Sequence, residues 1–397
     1  MDNRLIIGVT VITILVYVVH HYIRNAHLTS ATRHLWFSTV IFIVLGIAIG
    51  PLGFRLLNVK HIRLLAPFLD VLLGWIGWLV GIELTKKMIK LIPRKYWLIG
   101  MTENIVTLSL TVFILMGLEL LFDQILNFRW TPTFLLLTGL CAAVSSPRSI
   151  ITLTQQLHIP RSIAKGYAVV AHLGNLGIML LMYLLIYFYN WQTGEFIIIE
   201  STLKLLTLGI LQGIVMSWLF LYRRGTPESM LILIGVITFF SGAAALMNIP
   251  PLLVGVVGGG FYAYFFPNRQ PQIFTALQQS ERPIYLIFVT LASINIPIYD
   301  YNLYLFLIPF LLVRAFSKIT SGYLLKRSLS DQIKGSWNVG IFLPQGALAI
   351  AIALSAYQLF PNGWNEILIA TVVIGLLVNE ILGYQVIRQV SLAKSYD

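Results

Sequence analysis

Residues 138–177 read TGLCAAVSSPRSIITLTQQLHIPRSIAKGYAVVAHLGNLG, and this stretch decides the fold class. Two apolar segments meet in it across a short basic link. Ser145-Ser146-Pro147-Arg148 interrupts the first segment in its middle. The second carries a lone His172 about ten residues in, roughly 15 Å along a helix and so near the middle of a membrane. A proline inside an apolar helix removes a backbone hydrogen bond and clashes with the preceding turn. Lipid offers the freed groups no partner, so such a break is expected only against protein or beside a cavity. Flanked by hydroxyls and a cation, it is a candidate ion or substrate site.

The rest of the chain fits that setting. Hydrophobic residues make up 58% and charged residues 11%. Apolar runs of roughly 20 residues, the length that crosses a bilayer, recur from end to end. This composition describes an integral membrane protein with no soluble domain. The first run, Leu5 to Val19, lacks a small-residue cleavage site and is expected to be retained as a span. The single Cys141 excludes an internal disulfide. A net charge of +12 lies mostly in short loops between apolar runs, which points to membrane topology and away from nucleic acid. No spaced metal ligands, nucleophile elbow or phosphate loop occurs, so neither an enzyme nor a cofactor is expected.

Thirteen spans are predicted, at 4–22, 35–51, 66–84, 96–121, 131–155, 162–189, 199–222, 228–247, 249–266, 283–299, 303–325, 337–359 and 366–388. Loops on the N-terminal side carry Arg4, Arg55, Lys60, Arg63, Arg129 and Lys204. The opposite side carries a roughly threefold excess of Lys and Arg, which places the N-terminus outside and the C-terminus in the cytoplasm.

Span 12 is interrupted at Leu343-Pro344-Gln345-Gly346, as span 5 is at Ser145-Ser146-Pro147. The two lie seven spans apart, so their halves face opposite ways. The chain then divides into a first repeat (1–189), a connecting span (190–227) and an inverted second repeat (228–397). Paired interrupted segments in inverted halves point to a transporter's binding site; ordinary proline kinks are the alternative. Gly46/Gly50, Gly77/Gly81 and Gly255/Gly259 are spaced for close helix contact.

Ionisable residues at membrane depth are functional candidates. His172 either titrates near neutral pH or is a neutral histidine bonded inside the bundle. Lys318 and Arg314 share one face of span 11. Lys318 pairs with a carboxylate, carries a proton, or reaches the surface by its stem. Arg148 follows the first break directly. Glu103 is the deepest carboxylate of the first half; Glu83 and Glu380 lie nearer span ends. The expected path comprises Ser145, Ser146, Pro147, Arg148, His172, Asn175, Lys318, Pro344 and Gln345, with His172, Glu103 and Lys318 as candidate proton carriers.

Several runs resemble the monovalent cation:proton antiporter superfamily, in its Nap/Kef-like branch, along nearly the whole chain. Leu79 to Leu84 (LVGIEL) is similar to its third-span pattern, and Ser145-Ser146 to the hydroxyl pair at its first crossover. GYAVV at 166–170 resembles the run before its acidic pair. Lys318 in RAFSKITSG falls on a span-11 lysine, and GIFLPQGA at 340–347 resembles the second crossover. The resemblance implies thirteen helices in inverted repeats, two crossed discontinuous helices, a mobile core beside a dimerisation domain, and elevator-like motion. It also implies a homodimer that exchanges Na⁺ or K⁺ for protons in a bacterial inner membrane. One departure stands out: the acidic pair would fall on Ala171 and His172, so span 6 supplies no acid. An anion transporter on the same fold and a non-transporting membrane subunit are the alternative expectations.

Overall fold

The structure is a computed structural model that describes Thr10 and residues 31–57, 64–126, 130–156, 161–193, 198–220, 228–266, 270–294, 296–326, 339–360 and 364–393. Apart from Thr10, the expected first span lies outside the described residues, as do Arg4, Lys60, Arg63 and Arg129. Every regular element among the described residues is a helix, and none is a strand. In chain order the helices are α1 (Ala31–Ile49), α2 (Ala66–Ile82), α3 (Lys86–Leu91), α4 (Arg94–Leu126), α5 (Pro132–Ala143), α6 (Pro147–Gln156) and α7 (Arg161–Thr193). They continue with α8 (Ile198–Leu219), α9 (Glu228–Leu246), α10 (Pro251–Phe265), α11 (Gln270–Ser293) and α12 (Tyr301–Lys326). A 3-10 turn (Val339–Phe342), α13 (Ala347–Leu359) and α14 (Asn365–Ala393) complete the chain.

Each expected span after the first coincides with one helix or one broken pair. Among the described residues, six segments are long and apolar enough to cross a membrane, including Ile163–Tyr189, Tyr301–Lys326 and Asn365–Gln385. The protein is an integral membrane protein. Two elements differ from expectation. Lys86, Lys87 and Lys90 do not lie in an open loop but in the short α3, whose first turn is capped by the Thr85 hydroxyl accepting from the Met88 amide at 2.9 Å. Helix α11 starts at Gln270, well before the expected 283, and carries Pro283 inside it. Its first part carries four glutamines and ends in Ser280-Glu281-Arg282, so it is helical without a sustained apolar run.

Both expected breaks are present. Helix α5 stops at Val144, whose backbone is extended, and α6 restarts at Pro147. Pro147 sits where a helix can lose an N–H without cost, and the residue before a proline is driven out of the helical region. The Ser146 hydroxyl accepts from the Ser149 amide at 3.2 Å and caps the new helix. The second break runs through Leu343, Pro344 and Gln345 to an extended Gly346, which precedes α13.

The chain forms two compact units, each drawing on both halves of the sequence. One comprises Met1–Tyr17, Arg55–Pro93 and Ile186–Phe288. In it α2 packs on α10 with backbones in contact: a methyl group on Gly77 would lie 2.1 Å from the Leu252 carbonyl oxygen, and one on Gly255 would lie 2.3 Å from that of Gly74. The second unit comprises Val18–Phe54, Arg94–Leu185 and Val289–Asp397. It contains both breaks. Its core includes Ile99, Ile150, Leu153, Tyr167, Val170, Ile341 and Phe342, so residues around both breaks are packed together.

Candidate functional site

Polar residues recur at helical spacing along two apolar helices of the second unit. Helix α4 carries Glu103, Thr107 and Thr111; α12 carries Arg314, Ser317, Lys318 and Ser321. All are buried, and the two stripes face each other. Thr111 donates to Ser317 at 3.4 Å, and Ser321 donates to Glu103 Oε1 at 3.0 Å. Thr107 Oγ1 lies 3.2 Å from both Glu103 Oε1 and Ser321 Oγ. Polar groups without water must find partners among themselves, and here two helices far apart in sequence satisfy each other.

Lys318 is the centre of this arrangement. Its Nζ lies 3.0 Å from each carboxylate oxygen of Glu103, 2.8 Å from Ser145 Oγ and 3.4 Å from Asn104 Oδ1. It also donates to the carbonyl of Ala143, at the end of α5. An ammonium has three protons, so these five oxygens form a shell that the protons share. Ser145 relays the interaction onward, donating to the Phe342 carbonyl at 2.9 Å. Lys318 is fully buried and Glu103 is 3% exposed, so the pair sits away from solvent and each charge depends on the other.

Arg314, also fully buried, lies one turn earlier on the same helix. It donates to the Leu343 carbonyl at 2.8 Å and the Val144 carbonyl at 3.0 Å. One guanidinium thus holds the carbonyl ends of both interrupted segments, where the helix dipole leaves partial negative charge. Asn175 on α7 fastens the first break from another side. Its Oδ1 accepts from the Ser145 amide at 3.3 Å, and its Nδ2 donates to the Ser145 carbonyl at 2.8 Å. At the second break, Gln345 donates to the Cys141 carbonyl at 2.9 Å and accepts from Asn379 at 3.4 Å. The breaks touch directly: the Ser146 amide donates to the Pro344 carbonyl at 2.9 Å. Gly346 lies close against Ser146: a methyl group on it would sit 3.1 Å from the Ser146 Cβ.

No family model and no curated protein matches this sequence. Among solved structures, the sodium proton antiporter MjNhaP1 from Methanocaldococcus jannaschii, solved at pH 8, matches with a TM-score of 0.67. The two are 13% identical, and the match covers 98% of this chain and 99% of the other. The chain has the sodium/proton antiporter fold.

Within this antiporter fold the structure gathers some predicted residues and separates others. Ser145, Lys318 and Glu103 share one shell; Asn175 and Gln345 brace the breaks on either side of it. The Ser146 hydroxyl is occupied in capping α6. Pro147 and Pro344 shape the two breaks, while Arg148 is half-buried in the first turn of α6. His172 is buried on α7, one turn before Asn175, and is not among the groups bonded to Lys318. The residues first noted for the centre of the site include no acid within span 6, yet an acid is present: α4 supplies Glu103. Asn104, Thr107, Ser321 and Asn379 escape the sequence reading. The spacing of Glu103, Thr107 and Thr111 is the signal that finds Thr107, because three polar residues four apart mark one face of a helix.

Proposed function

We propose that this protein is a secondary transporter exchanging a monovalent cation for protons, with the Glu103–Lys318 pair as the competing centre. One observation carries the proposal. The oxygens around the Lys318 ammonium (a carboxylate, a side-chain amide, a backbone carbonyl and a hydroxyl) are the hard donors that a dehydrated alkali cation also takes. A cation entering the shell must displace the ammonium from Glu103. Loss of a proton from Lys318 makes room for it, and return of the proton expels it. The carboxylate missing from span 6 is thereby supplied from α4.

The shared antiporter fold supports this reading, and the motif matches at 79–84 and 340–347 favour the Nap/Kef-like branch. Sodium and potassium both suit the donor set. The second compact unit holds the whole shell and both breaks, which suits a body that carries its cargo in an elevator-like cycle. The repeats at 1–189 and 228–397, joined by 190–227, supply one break each. A homodimer in a bacterial inner membrane, N-terminus outside and C-terminus cytoplasmic, completes the proposal. A central carboxylate, with Lys318 and Arg314 already committed to oxygen partners, disfavours an anion as cargo.

A second reading rests on the same geometry. The shell is fully bonded, so the pair would also serve as a fixed structural lock in a non-transporting subunit. Proteoliposomes with a trapped pH dye separate the two. Addition of Na⁺, K⁺ or Li⁺ against an imposed pH gradient is expected to move protons in wild type and to fail in Glu103→Gln. Proton movement that is equal in both would remove Glu103 as carrier; no response to any cation in wild type would favour the structural lock.

A further inference from the structure

Helix α14 places a second carboxylate inside the apolar segment Asn365–Gln385. Glu380 is 8% exposed. Its Oε1 accepts from the Ser149 hydroxyl at 3.4 Å, a long bond near the limit of the interaction. Its Oε2 is buried without a hydrogen-bond partner among the described residues. No cation among the described residues pairs with it.

The titratable groups on the packed elements are these, among the described side chains. Of the elements packed on α14, α12 carries Arg314, Lys318, Lys326 and three tyrosines, α5 carries Cys141, and α6, which reaches Glu380 through Ser149, carries Arg148. The described side chains of α1 and the 3-10 turn carry no titratable group, and α13 adds only a tyrosine. On α14 itself Tyr384 lies one turn away and Glu366 lies in the first turn. Arg314 and Lys318 are committed to the break carbonyls and to Glu103. Neither these groups nor Arg148 is bonded to Glu380.

A carboxylate taken out of water without a cation is balanced only by binding one or by binding a proton. Hard cations take about six or more oxygens, and the side chains of Glu380 and Ser149 together offer three. One proton needs one carboxylate. We propose that Glu380, held by Ser149 in the first turn of α6, is a second proton-binding site, separate from the Glu103–Lys318 pair. The ionised form faces the N-terminal turn of α6, where the helix dipole favours negative charge; the protonated form donates from its own hydroxyl. Glu380 thus contacts the helix that follows the first break, while its neighbour Asn379 bonds Gln345 in the second.

The test does not require transport, so it stands whether or not exchange is found. Infrared difference spectra of purified protein would be recorded between acidic and alkaline pH for wild type, Glu380→Gln, Glu103→Gln and Ser149→Ala. A protonated-carboxyl C=O band that fades as pH rises is expected in wild type and in Glu103→Gln, and is expected to be lost in Glu380→Gln. Ser149→Ala keeps Glu380 and removes the one donor it has among the described residues, so that band should shift in frequency. A wild-type carboxyl band that survives in Glu380→Gln and does not move in Ser149→Ala would overturn the assignment, as would the absence of any such band.

Discussion

Asn175 binds both backbone groups of Ser145, accepting from its amide and donating to its carbonyl, across a gap of 30 residues. A side-chain amide here does what a neighbouring strand does in a sheet: it satisfies a backbone that a helix has let go. Asn175→Leu leaves two buried backbone groups unpaired, and each such group costs about 1–3 kcal/mol. The variant should unfold in detergent at a clearly lower temperature than wild type. Asn175→Asp removes the donor and keeps the acceptor, so its midpoint should fall between the two.

Glu103→Gln removes the one carboxylate bonded to Lys318 among the described residues. Breaking a buried pair from one side costs about 3–5 kcal/mol, because the remaining charge is stranded. Both cation-driven proton flux and thermal stability should therefore fall. Glu103→Leu combined with Lys318→Met replaces the pair with apolar chains; it should recover most of the stability and none of the flux. A variant that keeps wild-type flux would show that the pair is structural only.

His172 sits outside the Lys318 shell, so His172→Ala should leave measurable exchange in dye-loaded proteoliposomes, in contrast to Glu103→Gln. Flux lost equally in both variants would make His172 as necessary as Glu103; flux lost only in His172→Ala would move the proton carrier to α7.

Arg314 donates through a fork to two carbonyls, a geometry that lysine cannot copy. Arg314→Lys should lower the flux by roughly tenfold or more, about 1.4 kcal/mol in barrier, while the protein still assembles and elutes normally. Unchanged flux would mean that the two breaks hold their positions without the guanidinium.

Gly77→Ala drives a methyl group into the Leu252 carbonyl, and overpacking of this kind costs about 1–3 kcal/mol. Gly117 on α4 has open space where a methyl group would go; Gly117→Ala should be neutral or gain up to about 1 kcal/mol from helix propensity. Parallel melting curves of the two variants separate a packing glycine from an incidental one.

The uneven legibility of this chain has physical causes. Pro147 and Pro344 announce the breaks because proline chemistry acts on the adjacent turn, so the local sequence contains all of it. The apolar runs announce the helices because a bilayer sets their length. Glu103 and Lys318 meet across 215 residues, and nothing local fixes such a meeting; it follows from how α4 and α12 pack. The early part of α11 is hidden for a different reason, since a polar helix has no apolar run to betray it. Asn104 and Ser321 look like ordinary polar residues until the facing helix is known.

The contact between Ser146 and Pro344 is made from main-chain atoms alone. Every residue except proline at 146 brings the same amide, and every residue at 344 brings the same carbonyl. That one bond is thus indifferent to side-chain identity, while the shell beside it is built mostly of side chains. Substitution at 103, 104 or 318 can change the shell without removing this main-chain link between the breaks. A scaffold of this kind can change the side chains of its polar shell over evolutionary time while its architecture stays fixed.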